Sequence, residues 1–222
     1  MNQKANQSKT VPIRPALQKR SLKTQQKILK VVEKLLQEGK FEQATVQDIV
    51  RQSRCSIGAF YGRFKDKNAA LFSFYDAHCV QLESSTLVIL DPTRSNEESL
   101  AQILSEFVET TVRHTLAHAE ILKADTIKFS DEEGDPFLDR ARKMNRQLHQ
   151  ALAAVLLARR DEFDHPDVRL GSMFVLGIVG GLTRDAITTG QKLMKTGVSA
   201  EVLQRELSRT VLGYLGITVK QD

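Results

Sequence analysis

Apolar side chains recur at intervals of three and four residues along most of this 222-residue chain. The clearest run is Ile28, Val31, Val32, Leu35 and Leu36. This spacing places the run on one face of a helix. Only 5 prolines and 12 glycines interrupt the pattern, and no segment alternates as a strand does. The sequence therefore predicts an all-α fold of about nine helices.

Capping residues mark where the first helices begin and end. The first helix is predicted from about Leu22, because Pro12 and Pro15 disfavour helix before it. Gly39 is predicted to end that helix as a residue just beyond its C-terminus. N-caps, which accept hydrogen bonds from free backbone N–H groups, are predicted for helices two, three and four at Thr45, Ser56 and Asp66.

The later boundaries depend on the same signals. Helix three is predicted to reach Arg63, and helix four to stop at Asp91-Pro92, because the residue before a proline disfavours helix. Ser95-x-x-Glu98 has the capping-box spacing that opens a fifth helix. A helix from about Glu120 to Phe129 follows. The last three helices are predicted to open at Asp135-Pro136, His165-Pro166 and Ser199.

Basic residues are concentrated near the N-terminus. Residues 1–75 hold 15 of the 32 Lys and Arg and 5 of the 27 Asp and Glu, whereas the rest holds 17 basic and 22 acidic residues. A basic head on an acidic body is typical of a protein that binds a polyanion. An ordinary solvated surface with a basic tail is the alternative, because several of these residues lie in the first 23 positions.

No targeting or anchoring segment is evident. The polar N-terminus lacks the apolar region of a secretory signal. The longest apolar run, Met173–Leu182, is about half a membrane span. Cys55 and Cys79 do not form a spaced disulfide or zinc set. We therefore expect a soluble cytoplasmic protein with no membrane partner.

Helices two and three, separated by the turn QSRC, have the size and order of a helix-turn-helix. That motif needs a recognition helix that enters the major groove of DNA and a small core that fixes its angle. The predicted core consists of Ile28, Ile49, Phe60, Phe64 and Leu71. The polar groups predicted to face phosphate oxygens are those of Thr45, Ser56, Tyr61 and Lys67.

Residues 24–72, TQQKILKVVEKLLQEGKFEQATVQDIVRQSRCSIGAFYGRFKDKNAALF, resemble the N-terminal DNA-binding domain of the TetR family of transcriptional regulators. The agreement includes Thr45-Val46-Gln47-Asp48-Ile49, the Phe60-Tyr61 pair and Lys67 in one ungapped register. The resemblance implies a transcriptional regulator. The C-terminal region offers no nucleophile–base motif and no phosphate loop, so we expect neither an enzyme nor a cofactor. The expected division is a disordered basic arm at 1–20, a helix-turn-helix domain at 21–67, and an all-helical effector-binding and dimerisation domain at 68–222.

The resemblance also implies roles for single residues. Thr45 and Lys67 would contact phosphate, and Tyr61 would contact phosphate or a thymine methyl group. Gln47 would touch a base or the DNA backbone, and Arg63 would face the backbone. The full set of expected contacts with double-stranded DNA is Thr45, Gln47, Ser56, Ile57, Ala59, Tyr61, Gly62, Arg63 and Lys67.

Three residues depart from the family's pattern. Arg54 stands where a left-handed glycine is common, so the turn needs a strained backbone or another shape. Ile57 replaces a frequent lysine, and Ala59 replaces a frequent threonine or serine, which removes polar contacts. Gly58 and Gly62 share one face of helix three, and we expect them to let that helix lie close to the DNA.

The segment GSMFVLGIVGGLTRDAI is apolar nearly all round, so it is predicted to be a buried helix. Packing it and the last helix against their symmetry mates would form a homodimer; a core within one chain is the alternative. A dimer favours a palindromic operator. We expect a repressor that is released by a small apolar or amphipathic effector. A regulator without such an effector, controlled by a protein partner or acting as an activator, is the alternative.

Helices four, five, seven and eight surround the family's effector pocket. The residues expected to line it are Phe74, His78, Phe107, Thr111, His114, Met144, Leu148 and Phe174. His114 and His118 lie four residues apart on one helix face, a spacing that suits two metal ligands. Because His78 and His149 are distant along the chain, no third ligand is evident and we predict no metal site.

Overall fold

The computed structural model describes residues 15–94, 98–124, 134–188 and 199–218. Within these ranges the chain forms nine α-helices and a short 3-10 turn at Arg160–Glu162. The all-α prediction is confirmed. The helices are α1 (Pro15–Gln37), α2 (Val46–Ser53), α3 (Ile57–Tyr61), α4 (Lys67–Ile89), α5 (Leu100–Ala117), α6 (Ala119–Lys123), α7 (Pro136–Ala158), α8 (Val168–Thr188) and α9 (Ala200–Leu215).

The first helix starts earlier than predicted. It begins at Pro15, where the fixed φ of proline is compatible with the first turn and its missing N–H costs no hydrogen bond. The predicted disordered arm at 1–20 is therefore wrong for residues 15–20, and its first 14 residues lie outside the described ranges. The predicted end is confirmed, because Gly39 follows α1 with φ +65°.

Most predicted caps are confirmed. Thr45, Ser56 and Asp66 accept hydrogen bonds from the backbone N–H groups of Asp48, Ala59 and Ala69, respectively. Asp135 caps α7 ahead of Pro136, and Ser199 caps α9.

Other boundaries differ from the prediction. Helix α5 is capped by Ser99, which forms a capping box with Gln102, and the predicted cap Ser95 lies outside the described residues. Helix α3 ends at Tyr61 rather than Arg63, because Gly62 already closes it as the C-cap. Helix α6 ends at Lys123, and the predicted extension to Phe129 falls outside the described ranges. Helix α8 opens two residues after Pro166, at Val168.

The buried side chains form two clusters. The head cluster contains Ile28, Ile49, Phe60 and Leu71, as predicted, and it continues into Ile121 of α6 together with further residues of α4 and α7. The body cluster is built from the far end of α4 and from α5, α7, α8 and α9. Because α4 and α7 contribute to both clusters, these two helices join the head to the body.

Helix α8 is the one helix among the described residues that is long and apolar enough to cross a membrane. It packs against α5, α7 and α9 of the same body, as a helix in a domain core does. The prediction that it is buried all round holds on one face only, which includes Val175 and Val179. On the other face Leu170, Met173, Phe174 and Leu182 are 46–54% exposed.

Candidate functional site

The turn between α2 and α3 is closed by an arginine in a left-handed conformation. Arg54 has φ 52° and ψ 38°, and its N–H bonds to the carbonyls of Val50 and Arg51. It is the one non-glycine residue with positive φ among those described. Of the two alternatives that the sequence left open, the strained backbone is confirmed. Side chains in this conformation cost about 1–2 kcal/mol.

The start of α2 is fixed by a reciprocal pair. The Thr45 hydroxyl donates to Asp48 Oδ2 at 2.6 Å and accepts from the Asp48 N–H at 3.2 Å. Hydrogen bonds from the Thr45 hydroxyl and backbone N–H hold the pKa of the Asp48 carboxyl below its ordinary value. Arg51 adds an ion pair to the same carboxylate at 2.6 Å. Thr45 itself remains exposed at the surface.

An exposed surface, which we call the reading face, is formed by Gln47 of α2, Ile57 and Tyr61 of α3, and the two glycines Gly58 and Gly62. The Tyr61 side chain is 55% exposed. Its ring meets that of Phe60 edge-on at 5.5 Å. Because Phe60 is fully buried, this ring contact anchors the exposed tyrosine to the head cluster.

Gly58 and Gly62 differ in the space that a side chain would find at each position. A Cβ at Gly58 would meet no atom within 4 Å, so this glycine leaves open space above α3. A Cβ at Gly62 would lie 3.1 Å from the Gly58 carbonyl oxygen, a close contact that requires a small shift. Gly62 has φ −70°, so its backbone does not require glycine.

The structure gives Arg63 partners within the chain. Its Nε and Nη2 donate to the carbonyl and hydroxyl of Ser21 on α1, both at 3.2 Å. Its Nη1 donates to the Ala59 carbonyl at 2.6 Å. These bonds tie α3 to α1. The expected contact between Arg63 and the DNA backbone remains a prediction, as does that of Ala59.

Lys67 is also engaged within the chain. Its ammonium group donates to the backbone carbonyls of Phe41, Glu42 and Ala44 at 3.2, 2.6 and 3.3 Å. It also lies over the Phe41 ring, 5.2 Å from the centroid. An ammonium group has three donors, so all are used in holding the loop before α2. The expected phosphate contact remains a prediction.

Two exposed cations near the reading face were not among the predicted contacts. Arg51 is 77% exposed at its side chain despite its ion pair, and Arg54 lies exposed in the turn. The sequence carried a signal for Arg51, because it lies two residues after Ile49 and so on the opposite side of α2 from that buried residue. Cations beside a helix-turn-helix suit phosphate oxygens.

The body contains a cavity of about 110 Å³ between α4, α5, α6, α7 and α8. Five of the eight predicted pocket residues line it: His78, Phe107, Thr111, Met144 and Leu148. Phe74, His114 and Phe174 do not contribute to its wall. Phe174 instead stacks on Tyr214 of α9 at 5.6 Å on the outer surface. Wall residues that the sequence did not predict include Tyr75, Cys79, Thr115, His118, Ile121 and Arg184.

Burial changes the proton affinity of three groups in the cavity wall. It raises the pKa of the Tyr75 hydroxyl and of the Cys79 thiol, so both stay protonated at neutral pH. It lowers the pKa of His78 to about 3, with a smaller contribution from the neighbouring His114 and His118. These three wall groups are therefore uncharged at neutral pH, whereas Arg184 brings a positive charge to the same wall.

His78 lies beside the histidine pair of α5, although it is distant along the chain. Its ring centroid is 4.2 Å from that of His114 and 4.3 Å from that of His118. The premise that no third histidine accompanies this pair is therefore wrong, because α4 crosses α5 at this point. Sequence spacing could not show this contact, since it depends on how two helices pack.

An ion-pair network fastens α4 to α7 next to the cavity. Arg140 donates to Asp76 Oδ1 at 2.6 Å and to Glu83 Oε2 at 2.9 Å. Its side chain is 9% exposed. One largely buried guanidinium on α7 thus bridges two carboxylates of α4, which ties α7 to the α4 segment that carries His78 and Cys79.

Comparisons with known proteins agree with this arrangement. Residues 28–73 match the model of the bacterial regulatory proteins of the tetR family. A search of curated proteins found no match.

Solved structures share the fold over nearly their whole length. A tetR-family regulatory protein from Rhodococcus RHA1 is 14% identical, with a TM-score of 0.63 over 88% of this chain and 98% of that chain. GusR from Salmonella enterica is 15% identical, with a TM-score of 0.62 over 92% and 98%. FadR from Bacillus subtilis, solved in complex with stearoyl-CoA, is 14% identical, with a TM-score of 0.60 over 82% and 97%. Residues 28–73 therefore carry the N-terminal helix-turn-helix domain of the bacterial regulatory proteins of the tetR family, and the chain shares the all-helical fold of these solved structures.

Proposed function

We propose that this protein is a dimeric transcriptional repressor that binds a palindromic operator and is released by a small effector. The observation that carries the proposal is the reading face, in which Gln47, Ile57 and Tyr61 are exposed while Ile49 and Phe60 of the same two helices are fully buried. A helix-turn-helix reads DNA by presenting such side chains to base edges from a fixed angle.

The proposed DNA contacts divide into two groups. Thr45, Gln47, Ser56, Ile57, Ala59, Tyr61 and Gly62 would meet the operator directly. Arg63 and Lys67 would act first by holding α3 and the α1–α2 loop in place, because their charged groups already bond to Ser21 and to three backbone carbonyls. Readout would then depend on Tyr61 and on groove shape, since the two glycines leave much of α3 bare.

Salt dependence tests the DNA-binding part of the proposal. Binding led by phosphate contacts weakens steeply as salt rises, for any DNA sequence. A specific regulator also keeps a large preference for its operator, typically about 10³-fold or more over bulk DNA. Equal affinity for all duplexes at physiological salt would instead indicate nonspecific compaction of DNA.

We further propose that the outer face of α8, together with α9, forms the homodimer interface. Leu170, Phe174, Gly177 and Gly181 follow one another at spacings of three and four, so they share a face. Leu170 and Phe174 are 46% and 54% exposed in the single chain. A Cβ at either glycine would meet no atom within 4 Å, which leaves room for a partner helix. Two heads related by a two-fold axis would read two half-sites.

The effector would act through side chains that belong to both the cavity and the head. Tyr75, Cys79 and Ile121 line the cavity and are also buried members of the head cluster. A ligand that displaces them would change how the head packs on α4 and α6. Linkage then requires that the effector lowers the affinity for the operator by the same factor by which the operator lowers the affinity for the effector.

The cavity limits the effector's size. A volume of about 110 Å³ is well below the roughly 300–1,000 Å³ of typical ligand pockets. A compact molecule with an apolar body fits the wall made by Phe107, Leu148 and Val179, and a larger amphipathic one would require α4 to move. The complex of FadR with stearoyl-CoA supports an amphipathic effector for this fold.

Candidate effectors are tested by two measurements on one sample. A true inducer raises the melting temperature of the free protein and weakens its affinity for the operator. A compound that stabilises the protein but leaves operator affinity unchanged would contradict release by an effector. In that case control by a protein partner becomes the better account. The proposed site of action is the cytoplasm, where the protein meets DNA.

A further inference from the structure

Three histidines meet where α4 crosses the end of α5. The His114 and His118 rings are 5.1 Å apart, and both lie within 4.3 Å of the His78 ring. Each residue offers one ring nitrogen such that the three nitrogens all lie within 4.8 Å of one another. Imidazoles that share one tetrahedral metal ion at about 2.0–2.1 Å from each nitrogen have those nitrogens roughly 3.4 Å apart, so the three rings would draw together when an ion binds.

Buried polar atoms at this place lack partners. Among the described residues, His78 Nδ1, His118 Nδ1 and the hydroxyl of Thr111 are buried without a hydrogen bond. Buried polar groups are normally satisfied, and exceptions call for an explanation such as a missing ion. His78, Thr111 and His118 also line the cavity, so the unpaired atoms belong to one wall.

The surroundings can orient one of the rings for coordination. His114 Nε2 lies 3.3 Å from the His78 backbone carbonyl, and His118 Nδ1 lies 3.7 Å from Glu120 Oε1. Metal-bound histidines usually donate their second N–H to a carbonyl or carboxylate. The first contact places such an acceptor beside His114 Nε2 and leaves Nδ1 of that ring as the lone-pair donor. The second, at 3.7 Å, is too long for a hydrogen bond, so His118 Nδ1 stays unpaired.

We propose that His78, His114 and His118 bind a divalent transition-metal ion of the Zn²⁺ class, with one coordination position open to the cavity. Imidazole donors favour Zn²⁺, Co²⁺, Ni²⁺ or Cu²⁺ over Mg²⁺ and Ca²⁺, which need oxygen ligands. The open position would take water or a donor atom of a ligand in the cavity. The site stands on its own geometry, independently of operator binding.

A second donor set shares one of these ligands. Glu33 of α1, His118 and Glu120 also bring donor atoms within 4.8 Å of one another. We favour the three histidines because two of them carry unpaired nitrogens in the cavity wall, whereas neither Glu33 nor Glu120 lines that cavity.

The site is tested by titrating chelator-treated full-length protein with Zn²⁺ by calorimetry and with Co²⁺ by visible absorption. We expect one ion per chain and the intense visible bands of tetrahedral Co²⁺. His78→Gln, His114→Gln and His118→Gln should each weaken Zn²⁺ binding at least about tenfold. His149→Gln and His165→Gln, which change the two remaining histidines, should bind as the wild type does.

Several outcomes would overturn the proposal. They are no uptake of Zn²⁺, uptake that none of the three substitutions weakens, and uptake that Glu33→Gln abolishes while His78→Gln and His114→Gln leave it intact. X-ray absorption of the wild-type zinc form needs no variant and guards against misfolding. Two or three imidazole ligands agree with the proposed site, and one or none contradicts it.

Discussion

The ammonium group of Lys67 donates a hydrogen bond to the backbone carbonyl of Glu42 at 2.6 Å. This bond joins the first residue of α4, the helix that runs on to the cavity, to the loop that precedes Thr45 and α2. Two further carbonyls of the same loop share the ammonium group. A residue that the family resemblance assigns to phosphate is therefore also a structural link between the body and the helix-turn-helix.

Lys67→Met should lower the stability of the protein, because three backbone carbonyls lose a charged donor. Hydrogen bonds to charged groups contribute about 1.5–3 kcal/mol, so the melting temperature should fall by several degrees. Lys65→Met is the matched control, since the Lys65 side chain is 87% exposed. If Lys67→Met left the melting temperature unchanged and only reduced the salt dependence of DNA binding, a phosphate contact alone would explain this lysine.

Arg54→Gly should stabilise the protein by roughly 1 kcal/mol, because glycine adopts the left-handed turn without the steric cost of a side chain. Arg54→Ala removes the same charge but keeps a Cβ, so it should give no such gain. Denaturant unfolding of the three proteins measures the difference. Equal stabilisation by both substitutions would mean that charge, and not backbone conformation, is the source of the cost.

These features show what the sequence could predict. The α-helical class, the helix-turn-helix core and the caps at Thr45, Ser56 and Asp66 follow from local patterns, so they were predicted correctly. The start of α1 was missed because Pro15 is compatible with a first turn. The bonds of Lys67 and the approach of His78 to the α5 histidines depend on how separate helices pack, which local patterns do not contain. The sequence also could not show whether Phe174 faces the cavity or the outer surface, because α8 is apolar on both faces.

Gly62→Trp should change which operator bases are preferred. Its side chain would extend from the bare part of the reading face towards the groove. Gly62→Ala is the control, because it introduces the same Cβ contact, 3.1 Å from the Gly58 carbonyl, without a reading group. Both should cost about 1 kcal/mol of stability or less. Selection of bound sequences by both variants measures the effect, and identical preferences would contradict the proposed role of this surface.

Phe174→Glu should weaken the dimer, because it places a charge at the centre of the proposed α8 interface. An unpaired charge buried at an interface typically raises the dimer Kd by roughly 30-fold or more. Val88→Glu on α4 is the control, since Val88 is even more exposed, at 74%, but lies on another helix. Analytical ultracentrifugation of both variants distinguishes them. A dimer that survives Phe174→Glu unchanged would place the interface elsewhere.

The central claim is that this chain recognises one operator through two related heads. Selecting fragments of the source genome that the wild-type protein binds at physiological salt tests it most directly. The account predicts an enriched near-palindrome close to a promoter, with half-site centres about one helical turn of DNA apart or slightly more. It also predicts that Tyr61→Ala, measured alongside, loses that enrichment while retaining its fold. Bound fragments with no shared motif, or a motif that Tyr61→Ala enriches equally, would contradict the account.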